Sequence, residues 1–413
     1  MLARRVVITG LGIVAPNGVG KEPFWQANVN GLSGVSAVRH FDTSGLRSKI
    51  AGAIYDFDSA KFMAPLVVRR TDRFVHLGLA ASRLALVDSG LNLGGEDPKR
   101  IGCILGSGLG GVLFHEEQIE MALEKGLNRL SPQCVPRIAP NAVSGHIAIE
   151  FNLRGPNMTI SSACASGTIA LGEAFRKIAG GGIDLALAGG AEAPLTRFTF
   201  AAYCSLRALS TKNGAPEEAC RPFDRDRDGM VLGEGAAILV LEELSHALHR
   251  GASIYAELVG YAHNSGAYNM IVPMEDGHDV ADVMLAAIQD AGLTLKDIHY
   301  INAHATGTEA GDKAESRAIK TLFAEYAHAI PISSTKSMIG HTIGAAGAIE
   351  AAVCCLTIQN GVIPPTINYR EKDPECDLDY VPNQARIARV ENVLSNSFGF
   401  GSCNACLALK RYE

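Results

Sequence analysis

Residues 158–182 read Met158-Thr-Ile-Ser-Ser-Ala-Cys164-Ala-Ser-Gly167-Thr-Ile-Ala-Leu-Gly-Glu173-Ala-Phe-Arg-Lys-Ile-Ala179-Gly-Gly-Gly182. The short apolar run at 158–161 reads as a strand. A helix is predicted over about 165–179, closed by three glycines. The pattern returns at 341–359, which opens His341-Thr-Ile-Gly344-Ala-Ala-Gly-Ala-Ile-Glu350-Ala and follows a predicted strand at 332–334. Gly167, Glu173 and Ala174 fall on Gly344, Glu350 and Ala351 at one constant offset. The echo is weak, but it sets Cys164 opposite His341 and predicts duplication of one α/β unit.

Outward from these two stretches, apolar strands alternate with helical patterns. Strands are predicted at 6–11, 101–105, 184–188, 236–241, 300–303, 393–397 and 405–410. Helices are predicted at 70–89, 280–291, 314–323 and 342–359. The succession implies a layered α/β architecture. No linker, low-complexity tract or charge run separates independent domains.

The 413 residues are 47% apolar and 19% charged, an ordinary globular balance with length for a large core. With 37 basic against 43 acidic residues the net charge is −6, which argues against nucleic-acid binding. No uninterrupted apolar run reaches the roughly 20 residues of a bilayer span, so no membrane association is expected. The stretch Met1-Leu-Ala-Arg-Arg-Val-Val-Ile-Thr-Gly10 reads as a strand entering a turn and lacks a signal peptide's apolar core. Ten cysteines are too sparse for a disulfide scaffold, and a cytoplasmic protein is expected.

Three motifs are decoys. Gly106-Ser-Gly-Leu-Gly-Gly111 matches a dinucleotide fingerprint, but no acidic residue ends a second strand about 20 positions on. It reads as a tight turn. Asp224-Arg-Asp-Arg-Asp-Gly229 with Glu234 resembles a calcium loop, yet the glutamate falls one position short and a strand follows. Cys403-Asn-Ala-Cys406 lacks the second pair that zinc needs, and no metal is expected.

Cys164 ends a strand and opens a helix. Free backbone N–H groups there favour thiolate and lower the thiol's pKa. Small neighbours leave room for a thioester. His304 ends the strand at 300–303 and precedes Ala305-Thr-Gly-Thr308. His341 opens the second Gly/Ala helix, where the helix end should keep its imidazole neutral and hydrogen-donating. Glu350 lies within that helix and requires a cationic partner if buried; Lys336 is the candidate. Asn396-Ser-Phe-Gly-Phe-Gly401 combines small residues with two phenylalanines. Such a loop could supply an N–H to an oxyanion and gate an apolar pocket.

Together, Ser161-Ser-Ala-Cys-Ala-Ser-Gly167, Asn302-Ala-His-Ala-Thr-Gly-Thr308, Ser334-Thr-Lys-Ser-Met-Ile-Gly-His341 and Ser397-Phe-Gly-Phe-Gly401 resemble the β-ketoacyl-acyl-carrier-protein synthases, the elongating type II kind most closely. Arg221-Pro-Phe-Asp-Arg-Asp-Arg-Asp-Gly-Met-Val-Leu-Gly-Glu-Gly235 is similar to that family's central signature. The likeness covers about 4–411. It implies a thiolase-type five-layer αβαβα sandwich of two pseudo-repeated halves, 1–255 with the nucleophile and 256–413 with the histidine pair.

The resemblance implies an acyltransferase of fatty-acid elongation. Cys164 would be acylated, with the N–H groups of Cys164 and Phe400 as oxyanion hole and Phe400 as gate. His304 and His341 would stabilise the enolate of malonyl carrier as CO2 leaves. Lys336 and Glu350 would order the histidines, Thr306 and Thr308 would hold the pantetheine arm, and Leu109 would line the acyl pocket. No cofactor is implied; the phosphopantetheine arm arrives on acyl carrier protein. Arg69, Arg70, Arg207 and, more weakly, Arg129 would dock that acidic carrier. A homodimer is the expected assembly.

The chain departs from the family at Ser402-Cys-Asn404, where Gly-Thr-Asn or Gly-His-Asn is common, at 193–200 and at 134–137. These departures raise a rival: a ketosynthase of a dedicated polyketide or polyene pathway, heterodimeric with a chain-length-factor partner. A non-catalytic chain-length factor typically lacks the nucleophile. A degradative thiolase would use a C-terminal cysteine as base, with Cys403 the candidate.

Overall fold

The structure, a computed structural model, describes residues 4–413; the first three residues of the N-terminal stretch read above lie outside the described residues. Ten strands carry the fold: β1 (Val6–Ala15), β2 (Ile101–Gly106), β3 (Asn157–Ile160), β4 (Leu185–Glu192), β5 (Gly235–Glu243), β6 (Ala256–Ser265), β7 (Tyr300–Asn302), β8 (Ile332–Ser333), β9 (Asn392–Gly399) and β10 (Cys403–Lys410). They join one mixed sheet in the order β8-β7-β9-β10-β6-β1-β5-β4-β2-β3, with Gly18–Val19 folded back on β1.

The order contains the same half twice. In the first, β2 runs parallel to β3 and β4, then β4, β5 and β1 alternate antiparallel. In the second, β7 runs parallel to β8 and β9, then β9, β10 and β6 alternate antiparallel. The halves meet where β1 pairs β6. The duplication read from 164–182 and 341–359 is thus repeated in strand order and direction.

Helices α1 (Arg73–Ser89) and α3 (His278–Asp290), the latter with its neighbour α4 (Glu309–Phe323), lie on the outer faces, while α2 (Ser166–Ala179) and α5 (Ala346–Asn360) pack against each other and against strands of both halves. This gives five layers. Covered strands need not alternate, and β1, β4 and β10 read as near-continuous apolar runs for that reason. The two central helices approach closely because their starts lack bulk. A Cβ on Gly167 would lie 2.9 Å from the Gly344 carbonyl oxygen.

Two helices differ from the sequence reading. The segment at 70–89 is split: Pro65–Arg70 stops, and buried Asp72 caps α1 by accepting the Phe74 N–H while also accepting that of Phe114. The helix expected from 342 begins only at Ala346, after a 3-10 turn at Ile343–Ala345. Ile343–Asn360 is in fact long and apolar enough to cross a membrane, but it is buried almost throughout as the core helix of the second half. Strand β6 and the helices Val112–Lys125 and Ala142–Phe151 complete what the sequence reading left out or left vague.

Candidate active site

Cys164 sits in the turn between β3 and α2, with Ala163 held at a left-handed φ of 47°. Ser166 stitches the turn: its hydroxyl donates to the Ala163 carbonyl at 2.6 Å and accepts the Ser162 N–H at 2.9 Å. The loop at 396–401 reaches this turn because position 399 is glycine; a Cβ there would stand 3.0 Å from the Ser162 oxygen. His341 Nε2 lies 2.9 Å from the Cys164 sulfur, and the Phe400 main chain stands on the same side, where its N–H favours the sulfur's charged form.

The thiol is not the resident thiolate expected of a helix start. Burial pushes Cys164 up to about 12, only partly offset by the Lys336 charge and the Phe400 N–H. Cys164 precedes the helix by two residues and is 7% exposed, so desolvation outweighs the helix end.

His304 follows β7. Its N–H and that of Ala305 donate to the Glu315 carboxylate at 3.0 and 2.8 Å, and Asn396 Nδ2 donates to the same group at 3.0 Å. His341 does not open α5. It sits between the short helix Lys336–Ile339 and the 3-10 turn, and its N–H donates to the Val231 carbonyl at 2.7 Å. Its neutrality has another cause than a helix end: burial and then the Lys336 charge hold both histidines well below their usual range. The rings meet edge to face at 5.3 Å. Lys336 and Glu350 form the expected buried ion pair.

Three carboxylates escaped the sequence reading. Glu315 anchors the His304 loop. Asp312, one turn earlier on α4, accepts the N–H groups of Thr306, Gly307 and Phe223. Glu192, at the end of β4, accepts those of Gly108, Leu109 and Gly344 and the Ser107 hydroxyl. Burial raises Glu192 and Glu315 to about 7 and Asp312 to about 6, against the N–H donors that favour charge. A lone acid in an apolar strand, as Glu192 is, was the available signal. The glycine-rich look-alike at 106–111 is therefore a turn that wraps a carboxylate. In the calcium look-alike, Asp224 accepts the N–H groups of Asp226, Arg370 and Glu371, and Arg227 pairs with Asp373.

A cavity of about 250 Å³ opens onto Cys164. His304, His341, Thr306, Thr308 and Phe400 line it; Leu109 and Cys403 do not. Leu109 reaches the site only through its main chain on Glu192. Arg69 and Arg70 end the helix Pro65–Arg70, Arg129 ends the turn Leu127–Arg129, and Arg207 follows the helix Arg197–Ser205. All four are exposed, and none lines the cavity. Arg137 fastens the first pair by donating to the Arg69 and Thr71 carbonyls.

One ligand atom from each of Cys164, His304 and His341 lies within 4.8 Å of the others, within reach of a metal ion. Metal-bound histidines hold their outer N–H on an acceptor. Here both Nδ1 atoms lack a partner among the described residues, and the Lys336 charge bears on all three groups. The arrangement suits a developing anion better than a cation.

A cysteine sulfur beside two neutral imidazoles, facing an apolar cavity, is an arrangement suited to thiol-dependent acyl transfer. The chain belongs to the beta-ketoacyl synthase family: the N-terminal domain of that family matches residues 3–247 and the C-terminal domain residues 255–370. It is 44% identical over 413 residues to a 3-oxoacyl-[acyl-carrier-protein] synthase 2 of Vibrio cholerae, covering all of both chains. It is 43% identical over 410 residues to one of Synechocystis sp., covering 99% of each. Among solved structures, it resembles the ishigamide ketosynthase/chain length factor with a TM-score of 0.94 at 37% identity, covering 100% of both chains. The complex AntDE:AntF, a type II polyketide ketosynthase with its acyl-carrier protein, matches with a TM-score of 0.93 at 35% identity and the same coverage.

Proposed function

We propose that this chain elongates an acyl group on acyl carrier protein by two carbons in fatty-acid synthesis, through decarboxylative condensation with malonyl carrier. The observation that carries the reading is the 2.9 Å approach of His341 Nε2 to the Cys164 sulfur, with His304 beside it and Phe400 lining the same cavity.

In the first step Cys164 attacks the thioester carbonyl. The proton of its thiol ends on the departing pantetheine thiol, and the acyl group is left on sulfur. The N–H groups of Cys164 and Phe400 receive the oxyanion. In the second step malonyl carrier loses CO2. His304 and His341, both neutral, donate to the enolate oxygen. The carbanion then attacks the acyl carbon, and the Cys164 sulfur leaves and takes up a proton. The only cofactor chemistry required is the arm carried by the partner, held at Thr306 and Thr308. Arg69, Arg70, Arg129 and Arg207 form the docking surface for that acidic carrier.

A second reading keeps the chemistry and changes the pathway: a ketosynthase of a dedicated polyketide or polyene route, paired with a related subunit rather than a second copy of itself. The likeness to a ketosynthase/chain length factor favours it, as do the departures at 134–137, 193–200 and 402–403. The test is incubation with a panel of acyl-carrier donors and malonyl carrier, read by mass spectrometry. Saturated or monounsaturated chains longer by one two-carbon unit support elongation. Repeated extension that requires a co-expressed related subunit supports the second reading.

A further inference from the structure

Two of the stretches that depart from the family pattern, 134–137 and 193–200, both end on one helix, Val112–Lys125. The first supplies Arg137. Its guanidinium carbon lies 3.5 Å from the centre of the Phe114 ring, and its Nη1 and Nη2 atoms donate to the carbonyls of Arg69 and Thr71 at 3.3 and 2.8 Å. The second supplies Thr196 and Thr199. Their hydroxyls donate to the Glu116 carboxylate, and so do the N–H groups of Phe198 and Thr199 at 2.9 and 3.0 Å.

Phe114 and Glu116 are two residues apart, and what they hold are the two elements that carry the proposed docking arginines. Helix Pro65–Arg70, which ends in Arg69 and Arg70, is six residues long and none of them is buried. A helix that short does not hold itself, and the last carbonyls of any helix lack partners inside it. Here side chains beyond the helix supply them. Thr71 Oγ1 donates to the Val67 carbonyl at 2.7 Å, His76 Nε2 to that of Val68 at 3.2 Å, and Arg137 to that of Arg69. Of the three, Arg137 alone comes from a distant stretch of chain. On the other side, helix Arg197–Ser205 leads into Arg207, and Glu116 accepts the N–H groups at its start. The helix that carries Phe114 and Glu116 is fixed in turn. Its Phe114 N–H donates to buried Asp72 at 2.7 Å, and the Gly111 N–H before it donates to the Ile138 carbonyl at 3.1 Å. That approach needs a glycine, since a Cβ on Gly111 would stand 2.2 Å from the Arg137 carbonyl oxygen.

We propose that Arg137 and Glu116 are positioning residues that fasten both docking elements to one helix, so that Arg69 and Arg70 on one side and Arg207 on the other meet the acidic carrier at a fixed separation. The proposal rests on the docking reading above. Charges already held in place lose less conformational freedom on binding.

The two fasteners carry opposite charges, which separates positioning from electrostatics. Arg137→Gln removes a cation and Glu116→Gln removes an anion. If charge alone mattered, an acidic carrier would bind the first variant less well and the second better. The frame expects both to bind it less well: glutamine cannot fork onto two carbonyls, and its amide offers Thr196, Phe198 and Thr199 one acceptor oxygen in place of two. KM and kcat are measured with an acyl carrier protein and with the matching coenzyme A thioester. In each variant KM for the carrier is expected to rise about five-fold, with kcat and KM for the coenzyme A thioester within about two-fold of the parent. Thr199→Val takes one hydroxyl from Glu116 and no charge. It is expected to raise carrier KM about two-fold, and it keeps the test open if a glutamine variant does not fold. Opposite shifts in the two glutamine variants, no shift in either, or equal shifts with both donors would overturn the frame. An unchanged carrier KM in the Arg69→Glu, Arg207→Glu protein would instead overturn the docking reading, and the frame with it.

Discussion

Lys336 and Glu350 face each other across the start of the second half's central helix, each side chain 1% exposed, and the Glu350 Oε2 atom has no other partner among the described residues. The Lys336 charge opposes the effect of burial at both Cys164 and Glu350. Removing one member strands the other's charge. Glu350→Ala should cost roughly 3–5 kcal/mol of stability, and Lys336→Met combined with Glu350→Leu should cost less than Glu350→Ala alone. Urea unfolding of the three proteins checks this. A double variant as unstable as Glu350→Ala, or more so, would mean the pair is not the unit described.

Cys164 should behave as a buried thiol that ionises late. With its pKa pushed up to about 12 by burial, the thiolate fraction rises about ten-fold per pH unit across pH 7–10. Alkylation by iodoacetamide, followed by mass spectrometry, should rise without a plateau over that range. A plateau near pH 8 would contradict the assignment. Cys164→Ala should abolish acyl-enzyme formation and condensation together.

His304 and His341 divide differently between the two steps. His304 lines the cavity without bonding to the sulfur, whereas His341 Nε2 lies 2.9 Å from it. His304→Ala should lower malonyl decarboxylation about 100- to 1,000-fold, the usual loss of one oxyanion donor. Acylation should fall by much less. Rapid-quench measurement of the two steps tests the split; equal losses would remove the role.

Much of this was legible in the residues. Cys164, His304, His341 and Lys336 stand out because each interrupts small or apolar sequence beside a strand end, and the Lys336–Glu350 pair follows from the difficulty of burying a lone acid. The repeat at 164–182 and 341–359 reappears as strand order. What could not be read is long-range. Nothing near His304 announces that a carboxylate eleven positions on grips its main chain, since Glu315 looks like any helix-surface acid. The helix-end arguments failed at Cys164 and His341 because two residues separate the first from its helix and five the second, an offset invisible in composition. Leu109 has an apolar side chain, but its N–H does the work.

Glu315 should make the fold and the reaction sensitive to pH. Its carboxyl titrates near 7 in the native protein, against an ordinary 4.5, because burial disfavours its charge. Between those values the native state holds a proton that the unfolded chain has released, so stability falls as pH rises through the window, by about 3 kcal/mol in all. Three N–H groups donate to the carboxylate. Its protonated form therefore holds the His304 loop less well, and condensation should show an acid limb near pH 7. Glu315→Gln should flatten both dependences, tested by urea midpoints at pH 5 and 8 and by rates across pH 6–8.

The arginines proposed to dock the carrier lie at the surface, so their reversal should affect encounter rather than chemistry. Arg69 extends from a helix end that Arg137 holds from beneath, and Arg207 follows a helix end with its backbone at a left-handed φ of 56°. Both are exposed and screened by salt, which limits each to a few-fold effect. Arg69→Glu with Arg207→Glu should raise KM for carrier-borne acyl groups about ten-fold at low salt, mostly through association. The kcat should hold, and so should KM for the matching coenzyme A thioester, which lacks the acidic protein. The difference should shrink in 0.5 M salt. Parallel increases in KM for both donors would place these residues in the arm's path instead of on the carrier's surface, and would return the docking site to a search among the remaining cations.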